Sequence, residues 1–271
     1  MGNLLYVTDL GYQARGRRYC DEDIWLSGRL REEFGVALCH PLDAAGLMDR
    51  FDAVVVRNSG PVIHYQEAYD AFRAAALAAG TRTFNSLSGK GDMAGKAYLL
   101  QLSREGFPVI PTAGRREEFA LLPEAEEYAV KPLLGADSVG LRFVERARLG
   151  DVDPTGMLVQ PRVPFAYEVS FYYVGRSFQY ALYAPDPEAR WVLRTYEPTP
   201  ADLEFAQRFV DWNDLPYGIQ RVDACRAPGG ELLLVELEDL NPYLSLDLVG
   251  EPEREAFVAA MKSSLRELLG T

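Results

Sequence analysis

A chain of 271 residues with 48% apolar and 25% charged side chains is long enough to bury a large core, which excludes wholesale disorder and points to subdomains around a cleft. Its formal charge of −12 repels a phosphate backbone at long range and argues against general nucleic-acid binding, though a few local lysines and arginines can still hold a small phosphate ligand. The three cysteines, Cys20, Cys39 and Cys225, form no CxxC pair, and His40 and His64 are too few for a multi-histidine metal centre, so a zinc ribbon is excluded and a reduced, cytoplasmic setting is expected.

No stretch of about 20 apolar residues is present to span a membrane. The opening MGNLLYVTDLGYQARGRR lacks the long apolar run of a signal peptide. Residues 4–7, 36–39, 51–56 and 81–84 read as short buried strands. They alternate with helices over 21–34 and 64–79, the second stopped by Gly80. That alternation predicts an α/β layer with a mostly parallel sheet over residues 1–85. Residues 92–105 read as a helix closed by Gly106, with a strand over 109–112. Further on, short strands dominate: 128–132, 140–144, 158–160, 168–174, 178–183, 191–195, 218–224 and 232–238. Residues 168–183 read as a hairpin about Gly175 and Arg176, and helices interrupt at 200–212 and 253–269. This second part reads as α+β with antiparallel sheet.

The segment YGIQRVDACRAPGGELLLVELEDLNPYLSL, residues 217–246, carries the densest chemistry. Arg221 and Asp223 alternate onto one face of a strand, and Glu236 and Glu238 do the same on the next. A solvated sheet face shows such alternation too. Here the apolar run 232–235 argues for a buried strand, and buried charges need partners, so Asp223, Glu236 and Glu238 make an oxygen cage suited to Mg²⁺. In YAVKPLLGADSVG, Lys131 ends a short strand before a loop with Gly135, Ser138 and Gly140, whose backbone N–H groups can turn toward phosphate oxygens. Alone it equally fits a solvated exit from a sheet, and it is not a Walker A loop. Lys96 stands near a helix start. In MLVQPRVPFAYEVSFYYV one strand ends at Gln160 to Val163 and another begins at Glu168. The cysteines and Tyr172, Tyr173 and Tyr180 read as packing residues.

In this order, from about residue 85 to 250, the segments resemble the ATP-grasp superfamily: a lysine, a lysine with a glycine loop, Q-x-x-V with a downstream Glu, R-x-D, then E-x-E. KAYLLQLSREGFPVIPT, LVQPRV, YEVSFYYVG, QRVDA and VELEDLNPYLSL are similar to the branch containing the cyclo-ligase of D-cycloserine biosynthesis. The resemblance implies an α/β N-terminal unit on the substrate side (1–85), a small ATP-grasp subdomain (86–163) and a large C-terminal subdomain with the metal site (164–271). ATP would be held between the two α+β subdomains. It implies that Lys96 and Lys131 hold the α- and β-phosphates and that the loop with Gly135 and Ser138 closes over the β- and γ-phosphates. Gln160 to Val163 would frame the adenine, and Glu168 would take the ribose. Arg221 would touch the γ-phosphate and the developing acyl phosphate. Asp223, Glu236 and Glu238 would bind two Mg²⁺ ions, for which Mn²⁺ can substitute. Many members have Asn where Glu238 stands. Asn241 is displaced from that register and is assigned to the substrate. A basic residue precedes the R-x-D strand in the family; Arg190 or Arg194 fills that role, and Arg194 is carried forward as the catalytic candidate.

The implied activity is an ATP-dependent carboxylate–amine ligase. A small amino-acid-like carboxylate is activated as an acyl phosphate and an amine displaces phosphate, by amide formation or ring closure. Arg57 ends the strand FDAVVV, where open α/β sheets place ligands, and could pair bidentately with a substrate carboxylate. Arg15, Arg17 and Arg18 read as a solvated loop or a loop closing on substrate. A ligase that modifies a peptide or protein, and a nucleotide-binding protein without turnover, are the alternatives. Dimers are common among similar proteins, so a homodimer is compatible.

Overall fold

The computed structural model describes residues 2–14, 16–58, 60–134, 140–186 and 189–271; Arg15 and the loop candidates Gly135 and Ser138 lie outside the described residues. Apolar runs set the first layer. β1 (Asn3–Val7) leads through the two-residue strands β2 (Gln13–Ala14) and β3 (Arg17–Arg18) to α1 (Cys20–Leu30) and β4 (Gly35–Cys39). α2 (Ala44–Leu47), β5 (Ala53–Val56), α3 (Gln66–Ala79) and β6 (Thr83–Phe84) complete it. The strands form a parallel sheet in the order β4-β1-β5-β6. β5 is buried along its whole length, as continuous Val runs in parallel sheets are. Gly80, at φ +66°, ends α3 in the left-handed conformation that glycine adopts at least cost.

The helix expected over 92–105 is divided. A 3-10 turn at Asp92–Ala94 is stopped by Gly95 at φ +81°, and α4 runs only from Tyr98 to Arg104. Residues 109–112 make one isolated bridge, Val109 to Leu234, rather than a strand. β7 (Glu127–Pro132), β8 (Arg142–Glu145) and β9 (Met157–Pro161) form a three-stranded antiparallel sheet. The large sheet follows: β10 (Tyr167–Val174), β11 (Ser177–Ala184), β12 (Arg194–Thr195), β13 (Ile219–Arg226) and β14 (Leu232–Glu238), in the order β12-β11-β10-β13-β14. α5 (Pro200–Asn213) starts with a capping box in which Thr199 and Asp202 satisfy each other's backbone. α6 (Glu251–Leu269) closes the chain. Among the described residues no helix is long and apolar enough to cross a membrane.

The two faces of the large sheet decide where chemistry sits. Val169, Phe171, Tyr173, Val222, Ala224 and Leu234 pack against α4 and α5. The opposite face is apolar at one end, where Tyr172, Tyr180 and Leu182 share a core with Leu4, Leu26 and Leu30 of the first layer and Phe257 and Met261 of α6. At its other end that face carries Glu168, Ser170, Arg221, Asp223, Glu236 and Glu238. The last two reach it because the register slips by one residue between Asp223–Glu236 and Ala224–Leu234. The extra residue, Val235, puts Leu232 and Leu234 on the α5 side while Glu236 and Glu238 turn to the other.

α1 turns two acids of its first turn inward. Asp23 accepts from Tyr6 Oη (2.8 Å), Thr8 Oγ1 (2.7 Å) and Arg57 Nε (3.0 Å). Glu22 accepts from the backbone N–H of Leu244 (2.9 Å) and Leu246 (3.1 Å), tying α1 to the chain after β14. Burial pushes Glu22 up to about 7. The folded protein therefore binds a proton that the unfolded chain releases between its ordinary value of 4.5 and about 7, and this contribution lowers stability as pH rises through that window. Glu22→Gln should remove it. Chemical denaturation at about pH 5 and pH 7.5 should find the variant gaining on the wild type by up to roughly 3 kcal/mol as pH rises. Parallel pH profiles would refute the assignment.

Candidate active site

A cleft of about 900 Å³ runs between the charged end of the large sheet, the 92–96 and 133–134 segments, and the loops at the carboxyl ends of β1 and β5. Arg221 organises its floor. Its Nε and Nη2 donate to Asp223 at 2.8–3.1 Å, Nη2 also reaches Glu238, and Nη1 donates to the carbonyl of Tyr243 (3.0 Å). Ser170 Oγ donates to Asp223 Oδ1 (2.6 Å). Lys96 Nζ contacts Glu236 directly. The cross-strand pairs Arg221–Glu238 and Asp223–Glu236 put all four side chains on one face, as the alternation in the sequence predicts. Burial raises Glu238, with Asp223 and Asp92 adding to the rise and Arg221 opposing it.

Lys96 is fixed by its backbone. Its N–H donates to the carbonyl of Leu133 (2.9 Å), and a Cβ on the preceding Gly95 would meet Leu134 at 2.8 Å, so the segment lies tight against the small sheet. Lys131, on β7, is pushed down to about 7 by burial first and then by the nearby charges of Lys96 and Arg190. Arg190 Nε donates to Glu168 (2.5 Å), and both line the cleft. Burial raises Glu168, and Arg190 opposes that rise. Gln160 spends its side chain internally, donating to Thr112 Oγ1 (2.8 Å), which leaves backbone groups as its means of meeting a ligand. Val163 is half-buried in the connection from β9 to β10.

Of the sequence candidates, Lys131, Gln160 and Val163 are not part of the cleft's lining, and two more fall elsewhere. Arg57 does not line the cleft: it is 1% exposed, bonded to Asp23 and 3.5 Å from Glu22, because α1 presents two acids to it before any substrate could. Arg194 sits exposed on the edge strand β12, outside the lining, whereas Arg190 belongs to it. Asn241 does line the cleft, and its Nδ2 donates to the carbonyls of Asn58 (3.2 Å) and Gly60 (2.5 Å), holding the loop after β5.

Residues that the motif reading passes over also converge. Asp239, fully buried, accepts from the N–H groups of Gly91 (2.8 Å) and Met93 (2.9 Å), and Asp92 returns bonds from Asp239 (2.7 Å) and Leu240 (3.0 Å). This reciprocal clasp fixes the Lys96 segment against the end of β14. The signal lay in the third acid of VELED and in the glycines at 89 and 91, where a Cβ would strike Asp239 at 2.3 Å and 3.0 Å respectively. Tyr19 stacks on Tyr243 (centroids 4.6 Å apart), and both line the cleft with Arg17.

Among the described residues no group of three or more His, Cys, Asp or Glu is arranged to hold a metal ion. Asp223 and Glu238 close on Arg221, and Glu236 closes on Lys96. The donor chemistry nevertheless fits Mg²⁺: three carboxylates share one face, and burial disfavours the negative charge of Glu238 in the way an added cation would relieve.

No family model matches the sequence, and no curated protein matches it. Solved structures do match it along its full length. D-cycloserine synthetase DcsG is similar with a TM-score of 0.76 and 22% identity, covering 99% of this chain and 100% of that one. A RiPP-associated ATP-grasp ligase from Chryseobacterium gregarium, in complex with ADP and a leader and core peptide, gives 0.67 and 12% (98% and 97% covered). D-alanine–D-alanine ligase from Bacillus anthracis complexed with ATP gives 0.67 and 12% (99% and 96% covered). The chain has the ATP-grasp fold, as the ordered motifs imply.

Holding Lys131 neutral has a consequence for stability. Its charged form is penalised in the fold, so its contribution is most unfavourable below about pH 7 and fades as pH rises toward the ordinary lysine value of 10.5. Lys131→Met should raise the melting temperature most near pH 6, with the gain shrinking by about pH 9. A gain independent of pH would show that Lys131 is not desolvated.

Proposed function

We propose that the chain is an ATP-dependent ligase that activates the carboxylate of a small amino-acid-like molecule and couples it to an amine, releasing ADP and phosphate. The observation that carries this reading is the set of cations on the cleft, Lys96, Arg190 and Arg221, with Lys131 of β7 near enough that Lys96 and Arg190 add to the burial that lowers it. Cations gathered against their mutual repulsion suit a polyphosphate. In this reading Lys96 and Lys131 hold the α- and β-phosphates, the loop with Gly135 and Ser138 covers the phosphate chain, Gln160 to Val163 frame the base, and Glu168 takes the ribose once Arg190 yields it. ATP lies between residues 86–163 and 164–271, and residues 1–85 face the substrate.

Arg221 orients the γ-phosphate against the substrate carboxylate and offsets the repulsion between two anions, and Arg190 adds to that field. Asp223, Glu236 and Glu238 would hold Mg²⁺, which supplies charge neutralisation on the phosphates. With ATP and metal bound, Lys96 and Arg221 would be available to phosphate, and Glu236 and Glu238 to the metal. The cleft volume is in the range that small-molecule sites occupy, which favours a small substrate over a peptide.

A thermal shift with Mg·ATP tests the nucleotide site. At about 100 times its Kd a ligand stabilises by roughly 2.7 kcal/mol, so the wild type should shift and Lys131→Ala should shift much less at the same concentration. Equal shifts would remove Lys131 from the site. ADP release should then depend on a small amino acid from a panel of D- and L-forms, and Glu236→Gln should lower that turnover at least about tenfold while leaving the melting temperature nearly unchanged. Release only on addition of peptides would favour the peptide-modifying alternative.

A further inference from the structure

Resting on the ligase reading, we propose that Tyr69 and Arg73 of α3 form the binding site for a carboxylate of the substrate. α3 presents one stripe to the cleft, Gln66, Tyr69, Asp70 and Arg73, at the i, i+3, i+4, i+7 spacing of a single helical face. Tyr69 is 4% exposed, yet its Oη has no hydrogen-bond partner among the described residues, and neither has the buried Nε of Arg73. Buried polar groups are seldom left without partners, and two on adjacent turns of one helix, both facing a cleft, mark a place where a ligand completes the bonding.

Charge identifies that ligand. Five cations line the cleft, and four of them face a carboxylate within 4 Å: Arg17 with Asp247, Lys96 with Glu236, Arg190 with Glu168, and Arg221 with Asp223 and Glu238. Arg73 has no such partner among the described residues; its Nη2 donates only to the carbonyl of Leu87 (3.3 Å). The acids whose charges reach Tyr69 are committed, since Asp92 and Asp239 accept backbone N–H groups and Asp70 accepts from Gln66 Nε2 (3.0 Å). A guanidinium N–H and a phenol O–H both donate, so the matching group is an anionic acceptor, and the guanidinium would repel an ammonium. The substrate thus presents one polar end to α3 and another to the phosphate-side cations.

The test uses malonate and D-alanine as probes, titrated calorimetrically into the whole protein with and without Mg·ADP. The wild type should bind at least one probe. Tyr69→Phe and Arg73→Met should each weaken it about tenfold or more, with Mg·ADP affinity unchanged. Tyr69→Phe should melt no lower than the wild type, because the deleted hydroxyl makes no hydrogen bond among the described residues. Unchanged probe affinity in both variants, or a wild type that binds neither probe, overturns the proposal. A loss of melting temperature in Tyr69→Phe with probe affinity intact also overturns it, since the hydroxyl is then structural. If Mg·ADP fails to bind while a probe binds through Tyr69 and Arg73, the carboxylate site stands and the ligase reading falls.

Discussion

Arg221 is the interaction on which the site depends. One guanidinium spans Asp223 on its own strand, Glu238 on β14 and the carbonyl of Tyr243 in the chain beyond. Burial disfavours the negative charge of Glu238, and Arg221 opposes that effect. Breaking a buried pair by removing one partner is far more costly than never having built it, so the strand ends and the 239–246 segment are held in register as one unit. The same cluster carries more acid than its two cations, Arg221 and Lys96, can answer. That imbalance is tolerated because the fold has other surface to bury: the apolar end of the same sheet face packs on α6 and the first layer. Stability is supplied at one end and spent on charge at the other.

Much of this was legible because the chemistry lies on strands. A period of two puts Arg221 with Asp223, and Glu236 with Glu238, whatever the rest of the fold does, and the Pro-Gly-Gly turn between them leaves little choice but a hairpin. The register slip at Val235 was not legible. Without it, Glu236 and Glu238 would share a face with Leu232 and Leu234 and point at α5, and only the packed hairpin shows that the apolar run changes sides. Lys96 stood out only through its place in the ordered motifs, and its position rests on Gly95 and on the Asp92–Asp239 clasp, which join segments far apart in sequence. Long-range closure of that kind leaves only an acid and two glycines as its trace.

The misplacement of Arg57 and the omission of Arg73 have one cause. A sequence reports residue type and approximate position, and by position Arg57 was the better candidate: it ends a central strand at the edge where α/β sheets bind ligands. What a sequence does not report is whether a charge is already answered. Arg57 meets Asp23 and Glu22, both presented by the first turn of α1, and serves to lock that helix to β1 and β5. Arg73 lies mid-helix in an alanine-rich run that reads as an ordinary amphipathic segment, yet its Nε reaches the cleft without a partner among the described residues. Of the five cations that line the cleft, Arg73 is the one that faces no carboxylate among the described residues, and its buried Nε calls for a ligand. Pairing state is what tells Arg57, answered by Asp23 and Glu22, from Arg73, whose Nε has no partner among the described residues.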